Sequence, residues 1–170
     1  MNKFRIYIGG VGGVGKTTIC RKLARTYHMK HFSGSRIMMK LCEVSSREAL
    51  SCVPKKQKTI IEKTRYPRFI ARNQKVIVDG HCELLPEQAK CFDRFIFLIA
   101  PAKIIKDRRE QRGDGRRELD LRVILIEQKE HQLKMRQTEQ KCGIKFMTVS
   151  NAGKIAATCA LIGEILISAN

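Results

Sequence analysis

Glycines, one lysine and two threonines follow a fixed spacing near the start of the chain. The segment fits the pattern G-x-x-x-x-G-K-[ST] through Gly10, Val11, Gly12, Gly13, Val14, Gly15, Lys16 and Thr17, with Thr18 next to it. In this pattern the glycines let successive backbone N–H groups turn toward one anion. Lys16 would reach the β and γ phosphates of a nucleotide, and Thr17 would offer its hydroxyl to Mg²⁺. Residues 9–17 are therefore predicted to form a nucleotide-phosphate loop.

Asp79 is the candidate carboxylate partner of this loop. It ends the apolar run Val76-Ile77-Val78, which reads as a buried strand. Ligands of open parallel sheets bind beyond the carboxyl ends of the strands, so Asp79 is expected beside the loop, where a carboxylate can hold Mg²⁺. A carboxylate that only caps the strand end is the alternative.

The elements that must position these residues alternate between strand and helix. Short apolar runs at 4–8, 75–79, 92–99 and 145–149 predict strands, with a further short segment around His31 and Phe32. Helical patterns cover the chain after Gly15 and residues 36–42, 55–72, 102–112, 119–141 and 153–167, and Pro67 is expected to break the third of these. This alternation predicts a parallel sheet covered by helices, formed by residues 1–170 as one domain.

The amino-acid composition, and above all the net charge, indicates what kind of partner the protein binds. The chain has 34 Lys and Arg against 16 Asp and Glu, a formal charge of +18, and 43% hydrophobic residues. The hydrophobic content is enough for a continuous core. The charge predicts polyanionic partners, of which nucleotide phosphates are the minimum and an RNA or ribosomal surface is an alternative.

Cysteine spacing and the start of the chain favour a cytoplasmic protein. The seven cysteines include no C-x-x-C pair, which argues against a disulfide framework or a zinc knuckle. Residues 1–8 are too short an apolar run for a signal peptide, and residues 155–167 are too few to span a bilayer. A cytoplasmic protein with no membrane contact is expected.

With the phosphate loop and Asp79 in place, the chain resembles the P-loop nucleoside monophosphate kinases. The archaeal type of adenylate kinase and its relatives in ribosome assembly are the most similar members, through Asp79-Gly80-His81 and Glu130-His131-Gln132. The resemblance implies a three-layer α/β/α P-loop kinase fold with a five-stranded parallel sheet and a short arginine-rich lid. It also implies Mg²⁺ with ATP as phosphoryl donor.

The same resemblance assigns the acceptor side, in a region spanning about 33–72. Residues 32–36 are similar to the segment that opens the family's monophosphate-binding region, so Ser33 and Gly34 would approach the acceptor and Arg36 would hold its phosphate. His81 would contact the acceptor or a water bound to Mg²⁺. A solvated Arg36 and a locally hydrogen-bonded His81 are the alternatives.

Residues 107–120 resemble the family's lid, whose arginines close over the phosphates and exclude water. The predicted catalytic cations there are Arg108, Arg112, Arg116 and Arg117. Asn151 follows the last strand where the family packs the adenine ring, which predicts a contact with the nucleotide.

A nucleoside monophosphate kinase is therefore the predicted function, with AMP as the preferred acceptor. Two alternatives stay open. One is an ATPase of the adenylate-kinase-like type that acts in ribosome assembly or RNA binding, and the other is a P-loop kinase with a different acceptor.

Overall fold

The computed structural model describes residues 4–112 and 120–167. Strands and helices alternate along most of the chain. In order they are β1 (Phe4–Gly10), α1 (Lys16–Thr26), β2 (Lys30–Ser33), α2 (Gly34–Leu41), α3 (Arg47–Cys52), α4 (Lys55–Ala71), β3 (Lys75–Asp79), α5 (Pro86–Ala89), β4 (Arg94–Ile99), α6 (Ala102–Glu110), α7 (Leu121–Cys142), β5 (Phe146–Ser150) and α8 (Ile155–Ile167).

The five strands form one parallel sheet in the order β2-β3-β1-β4-β5. Strand β1 lies at the centre, and its residues from Ile6 to Gly10 are buried, as a strand with two covered faces requires. Its register pairs Ile8 with Asp79 on β3, and β2 in turn pairs Ser33 with Asp79. The carboxyl ends of β1, β2 and β3 therefore meet at one edge, as predicted.

Alternate side chains of the sheet enter two separate apolar clusters. Ile6 and Ile8 pack with helices α1, α6 and α8, whereas Tyr7 between them packs with α2, α4 and α5. The sheet thus lies between two helical layers, and the prediction of a helix-covered, five-stranded parallel sheet is confirmed.

Two local predictions need correction. Pro67 does not break the fourth helix, which runs through it from Lys55 to Ala71. An internal proline costs roughly 3 kcal/mol, and burial of Tyr66 and Ile70 on either side of it offsets that cost. The short helices α3 and α5 were not predicted, because each is too brief to show helical periodicity.

Only part of the predicted lid lies in the described chain. Helix α6 ends at Glu110, and residues 113–119, which include Arg116 and Arg117, are outside the described residues. Within 4–112 and 120–167, no helix combines the length and apolarity needed to cross a membrane.

Candidate active site

The phosphate loop joins the central strand to the first helix. Gly13 and Gly15 have φ angles of +84° and +99°, values that side chains other than glycine rarely adopt. At Gly15 the approach is also close, since a Cβ there would lie 2.5 Å from Nδ2 of Asn151. Helix α1 begins next to it without a side-chain cap, so its first N–H groups are available to an anion.

Lys16 crosses the mouth of this loop. Its Nζ donates hydrogen bonds to the carbonyl oxygens of Gly10, at 2.6 Å, and Val11, at 2.9 Å. Burial lowers the pKa of Lys16, and the negative charge of Asp79 opposes that shift. The ammonium group is therefore held at the loop by neutral acceptors that a phosphate would outcompete.

Thr17 and Asp79 supply oxygen atoms that suit a magnesium ion. The Thr17 hydroxyl donates to Oδ2 of Asp79 at 3.2 Å, and Asp79 is only 5% exposed. Mg²⁺ binds in such sites through a carboxylate, a hydroxyl and substrate phosphates. This pair fits the ion, so Thr17 and Asp79 are the residues that would hold it.

The second oxygen of Asp79 faces β2. Nε2 of His31 lies 2.5 Å from Oδ1, and Ser33 follows at the end of the same strand. Gly34 begins helix α2, and a Cβ there would lie 3.3 Å from the Asp79 carbonyl oxygen. The predicted acceptor residues Ser33 and Gly34 are thus brought against the predicted magnesium residue.

A cleft of about 350 Å³ opens beside the phosphate loop. Its walls come from the start of α1, the end of α6 and the segment that follows β5. The lining residues are Gly15, Thr18, Arg108, Gln111, Arg112, Asn151 and Ile155. Its size is that of a small-ligand pocket, and it lies next to the phosphate loop.

Arg108 and Asn151 tie the cleft to the loop. Arg108 donates to the carbonyl oxygens of Val14 and Asn151, both at 3.1 Å, and the Asn151 side chain donates to Val14 at 2.7 Å. Burial and the neighbouring Arg112 lower the pKa of Arg108. The structure therefore gives Asn151 a scaffolding contact that the sequence did not predict, whereas Arg112 is exposed at the rim.

Arg109 is a site residue that the sequence analysis missed. Its Nε and Nη2 donate to the Gly12 carbonyl oxygen at 3.0 and 2.8 Å, and Nη2 also lies 2.5 Å from Oε2 of Glu127. Arg109 is only 7% exposed and packs against Gly13. It connects the phosphate loop with α6 and α7.

Two histidines lie near the end of β3, His81 two residues after Asp79 and His131 beside it from α7. The Tyr7 hydroxyl donates to the His81 carbonyl oxygen, and the rings of His81 and His131 are 5.7 Å apart between centroids. Although His81 is exposed and His131 half-buried, partial desolvation of the rings is the first cause that lowers the pKa of both imidazoles, and Lys16 contributes to both shifts. Both rings are therefore neutral near pH 7.

The chain matches the family described as "AAA domain" over residues 9–125, which cover the phosphate loop, Asp79 and helix α6. It belongs to this family. No curated protein matches the sequence at a significant level.

Solved structures similar to this AAA domain include two shikimate kinases and a gluconokinase. The enzyme from Bacteroides thetaiotaomicron has a TM-score of 0.73 at 16% identity, over 96% of this chain and 98% of that one. The Acinetobacter baumannii enzyme in complex with shikimate gives 0.69 at 16% identity, over 99% and 95%. A gluconokinase from Sinorhizobium meliloti gives 0.54 at 14% identity, over 99% and 98%. At these identities the likeness shows the fold, which is the predicted α/β fold of the P-loop kinases.

The predicted site residues of this AAA domain fall into three groups. The loop residues, Thr17, Asp79, Arg108 and Asn151 meet at one edge of the sheet. Arg36 lies on the exposed side of α2 and makes no hydrogen bond or ion pair with another described residue. The roles of Arg116 and Arg117 stay predictions, since both lie in the segment 113–119.

Proposed function

We propose that the protein is an ATP-dependent phosphotransferase that moves the γ-phosphoryl group of ATP to a nucleoside monophosphate, with AMP as the preferred acceptor. The observation that carries the proposal is the convergence of Lys16, Thr17 and Asp79 at a glycine loop whose helix N-terminus is uncapped. AMP is the acceptor that the resemblance to archaeal-type adenylate kinases implies.

The cleft beside the loop is the proposed site for the ATP base and ribose. The cleft adjoins the phosphate loop at Gly15, so a base and ribose there would leave the phosphates beside Lys16 and the loop N–H groups. Arg108 and Arg112, which line the cleft, would attract the same negative charge. The fixed contacts of Arg108 and Asn151 with Val14 support binding to a preformed surface.

The transfer forms a bond between an acceptor oxygen and the γ phosphorus while the bond from that phosphorus to the β–γ bridging oxygen breaks. Bound Mg²⁺, held by Thr17 and Asp79, would neutralise part of the charge on the β and γ phosphates. Lys16 would neutralise part of the same phosphate charge. The remaining task of the protein is to hold the two anionic substrates, ATP and the monophosphate, in line.

The surroundings of Asp79 favour a phosphate acceptor over an alcohol. A monophosphate is already an oxyanion at neutral pH and needs no base, whereas an alcohol must lose a proton. Among the described residues Asp79 is the one buried carboxylate, and Thr17 and His31 contact its two oxygens. A carboxylate so engaged is poorly suited to take a proton.

An alcohol acceptor is the second candidate. The fold is shared with kinases whose names specify shikimate and gluconate, both of which carry hydroxyl groups. His81 supplies a specific reason to keep this candidate, because its lowered pKa leaves a neutral imidazole that can accept a proton.

The deciding experiment separates the products formed from Mg-ATP with AMP, CMP, UMP, GMP, shikimate, gluconate or no acceptor. Acceptor-dependent formation of a diphosphate supports the proposal, and phosphorylation of shikimate or gluconate alone would replace it with the second candidate. ADP release at one rate in every arm would instead favour the ATPase alternative, which the +18 charge permits through an RNA or ribosomal surface.

A further inference from the structure

Three side chains with different donor atoms converge beside the phosphate loop. Cys20, His31 and Asp79 each offer one ligand atom, and these atoms all lie within 4.8 Å of one another. Cys20 is fully buried, whereas the side chains of His31 and Asp79 are 15% and 7% exposed. The cluster is therefore enclosed, with its accessible side at His31.

The fold brings these residues together from separate elements. Cys20 lies on α1 about one helical turn after Thr17, so both side chains face the same side of the helix. Parallel pairing of β2 with β3 places His31 next to Ile77 and carries its ring to Oδ1 of Asp79. Because strands fix two of the ligands and the buried face of α1 fixes the third, the arrangement is rigid.

The donor set suits a different ion from magnesium. A thiol sulfur, an imidazole nitrogen and a carboxylate oxygen are the ligands of Zn²⁺, whereas Mg²⁺ takes oxygen atoms alone. Zinc bonds of roughly 2.0 to 2.3 Å hold neighbouring ligands about 3.3 to 3.8 Å apart. Atoms within 4.8 Å of one another reach that spacing by small side-chain adjustments.

We propose that Cys20, His31 and Asp79 bind a thiophilic divalent ion of the Zn²⁺ class, and that this ion excludes Mg²⁺ from Asp79. Binding replaces the thiol proton of Cys20 with a sulfur–metal bond and releases that proton to solvent. Three protein ligands leave a fourth position for water or a phosphate oxygen. The binding site stands on its own residues, whereas the exclusion of Mg²⁺ rests on the proposed function.

The site is tested with Co²⁺, followed by displacement with Zn²⁺, on the nucleotide-free protein. The wild type is expected to show a thiolate-to-cobalt charge-transfer band and the strong visible bands of four-coordinate Co²⁺, which Zn²⁺ removes. Cys20→Ala should abolish the charge-transfer band. His31→Gln should weaken binding by at least about tenfold, since a lost ligand costs no less than a lost outer-shell partner.

Matched controls separate this site from adventitious thiols. Cys159→Ala removes another buried cysteine from the same apolar cluster, and Cys52→Ala removes an exposed one; both should bind Co²⁺ as the wild type does. Circular dichroism checks that Cys20→Ala is folded, and the partly exposed His31 carries the test if it is not. A charge-transfer band that is absent, or that survives both Cys20→Ala and His31→Gln, overturns the site.

The exclusion of Mg²⁺ has a separate readout. Zn²⁺ should inhibit Mg-ATP turnover by the wild type, and Cys20→Ala should resist that inhibition. Inhibition of equal strength in both proteins overturns the exclusion. Co²⁺ binding as described in a protein that transfers no phosphoryl group would keep the site and remove the proposed function, so the two failures are distinguishable.

Discussion

The two sides of the sheet edge differ in how their cationic side chains are bonded. On the proposed donor side, which comprises residues 10–18, 102–112 and 150–155, Lys16, Arg108 and Arg109 all donate to loop carbonyl oxygens. The proposed acceptor side comprises residues 33–72 and 80–82. There Arg36 and Arg47 are exposed and form no hydrogen bond or ion pair with another described residue. Lys58 and Arg65 do donate hydrogen bonds, but to the carbonyl oxygens of Leu50, Ser51 and Leu41 on their own side and not to the phosphate loop.

The difference indicates how each side would recognise a ligand. The donor side is held in place by its own hydrogen bonds, so binding there costs little conformational entropy. On the acceptor side, binding also fixes long side chains that are free to move, and their attraction to the ligand's charge must offset the conformational entropy that they lose. Substitutions on the donor side should therefore affect ATP use and stability together, whereas those on the acceptor side should affect only the acceptor.

The largest expected effect is on the donor side, at Lys16. Lys16→Ala should lower ATP-dependent transfer by roughly 10³-fold, because it removes a preorganised charge from the transferring phosphates. Initial rates of ADP formation measure the loss. Lys22→Ala, at an exposed position of the same helix, is the matched control. A folded Lys16→Ala protein that turns over like the wild type would contradict the assignment of the loop.

Arg109 tests the claim that donor-side cations also stabilise the fold. Arg109→Ala removes two hydrogen bonds to Gly12 and a partly buried ion pair with Glu127, so the free energy of unfolding should fall by about 3 kcal/mol. The KM for ATP should rise as well. Urea unfolding provides the first value and initial rates provide the second.

Lys106→Ala is the control for Arg109, since it removes an exposed ion pair with Glu110 from the same helix. Such a pair contributes about 0 to 1 kcal/mol. Equal destabilisation by the two substitutions would mean that the contacts of Arg109 with the loop contribute no more to the free energy of unfolding than an exposed ion pair does.

Arg36 tests the acceptor side. Arg36→Ala should raise the KM for the monophosphate by about fivefold while leaving the KM for ATP unchanged, because one exposed charge contact is lost. The free energy of unfolding should change by less than about 0.5 kcal/mol. Arg68→Ala, an exposed arginine on α4, is the comparison. If both KM values rise together, the two sides are not separate.

The smallest expected effect is a pH dependence from His81 and His131. Their pKa values are lowered in the folded protein, so below about pH 6.5 the unfolded chain binds more protons and the free energy of unfolding falls. Above about pH 6.5 the two histidines no longer lower the free energy of unfolding. Urea unfolding should show a weaker dependence below this pH after joint substitution of both residues by asparagine.

His28→Asn is the control, because His28 is exposed and has a positive φ that asparagine tolerates. It should keep the wild-type pH dependence. An unchanged slope in the double variant would remove the histidine pair as its source.

Sequence reasoning reached the parts of the molecule that local patterns encode. The phosphate loop is contiguous, and the strand before Asp79 carries its own apolar pattern, so both were predicted in place. The contact of Arg109 with Gly12 spans 97 positions, and the contact of His31 with Asp79 spans 48. Both depend on which elements become neighbours, which no local spacing encodes.

The dependence on tertiary neighbours also explains why Arg109 and His31 were not predicted as site residues. Arg109 was one arginine among several in a predicted lid, and its contacts with Gly12, Gly13 and Glu127 distinguish it from Arg108. His31 looked like an ordinary strand residue until the strand order placed β2 beside β3. The phosphate loop was thus predictable from its spacing, whereas the contacts that hold it, including those of Arg108 and Asn151 with Val14, were not.

The central claim is that this site delivers a phosphoryl group to a phosphate acceptor and protects it from water. Phosphorus NMR of the protein with Mg-ATP and AMP follows both fates in one sample. The account predicts that the signals of ADP grow at the expense of ATP and AMP, with little inorganic phosphate. Inorganic phosphate appearing at the same rate with and without AMP would contradict it.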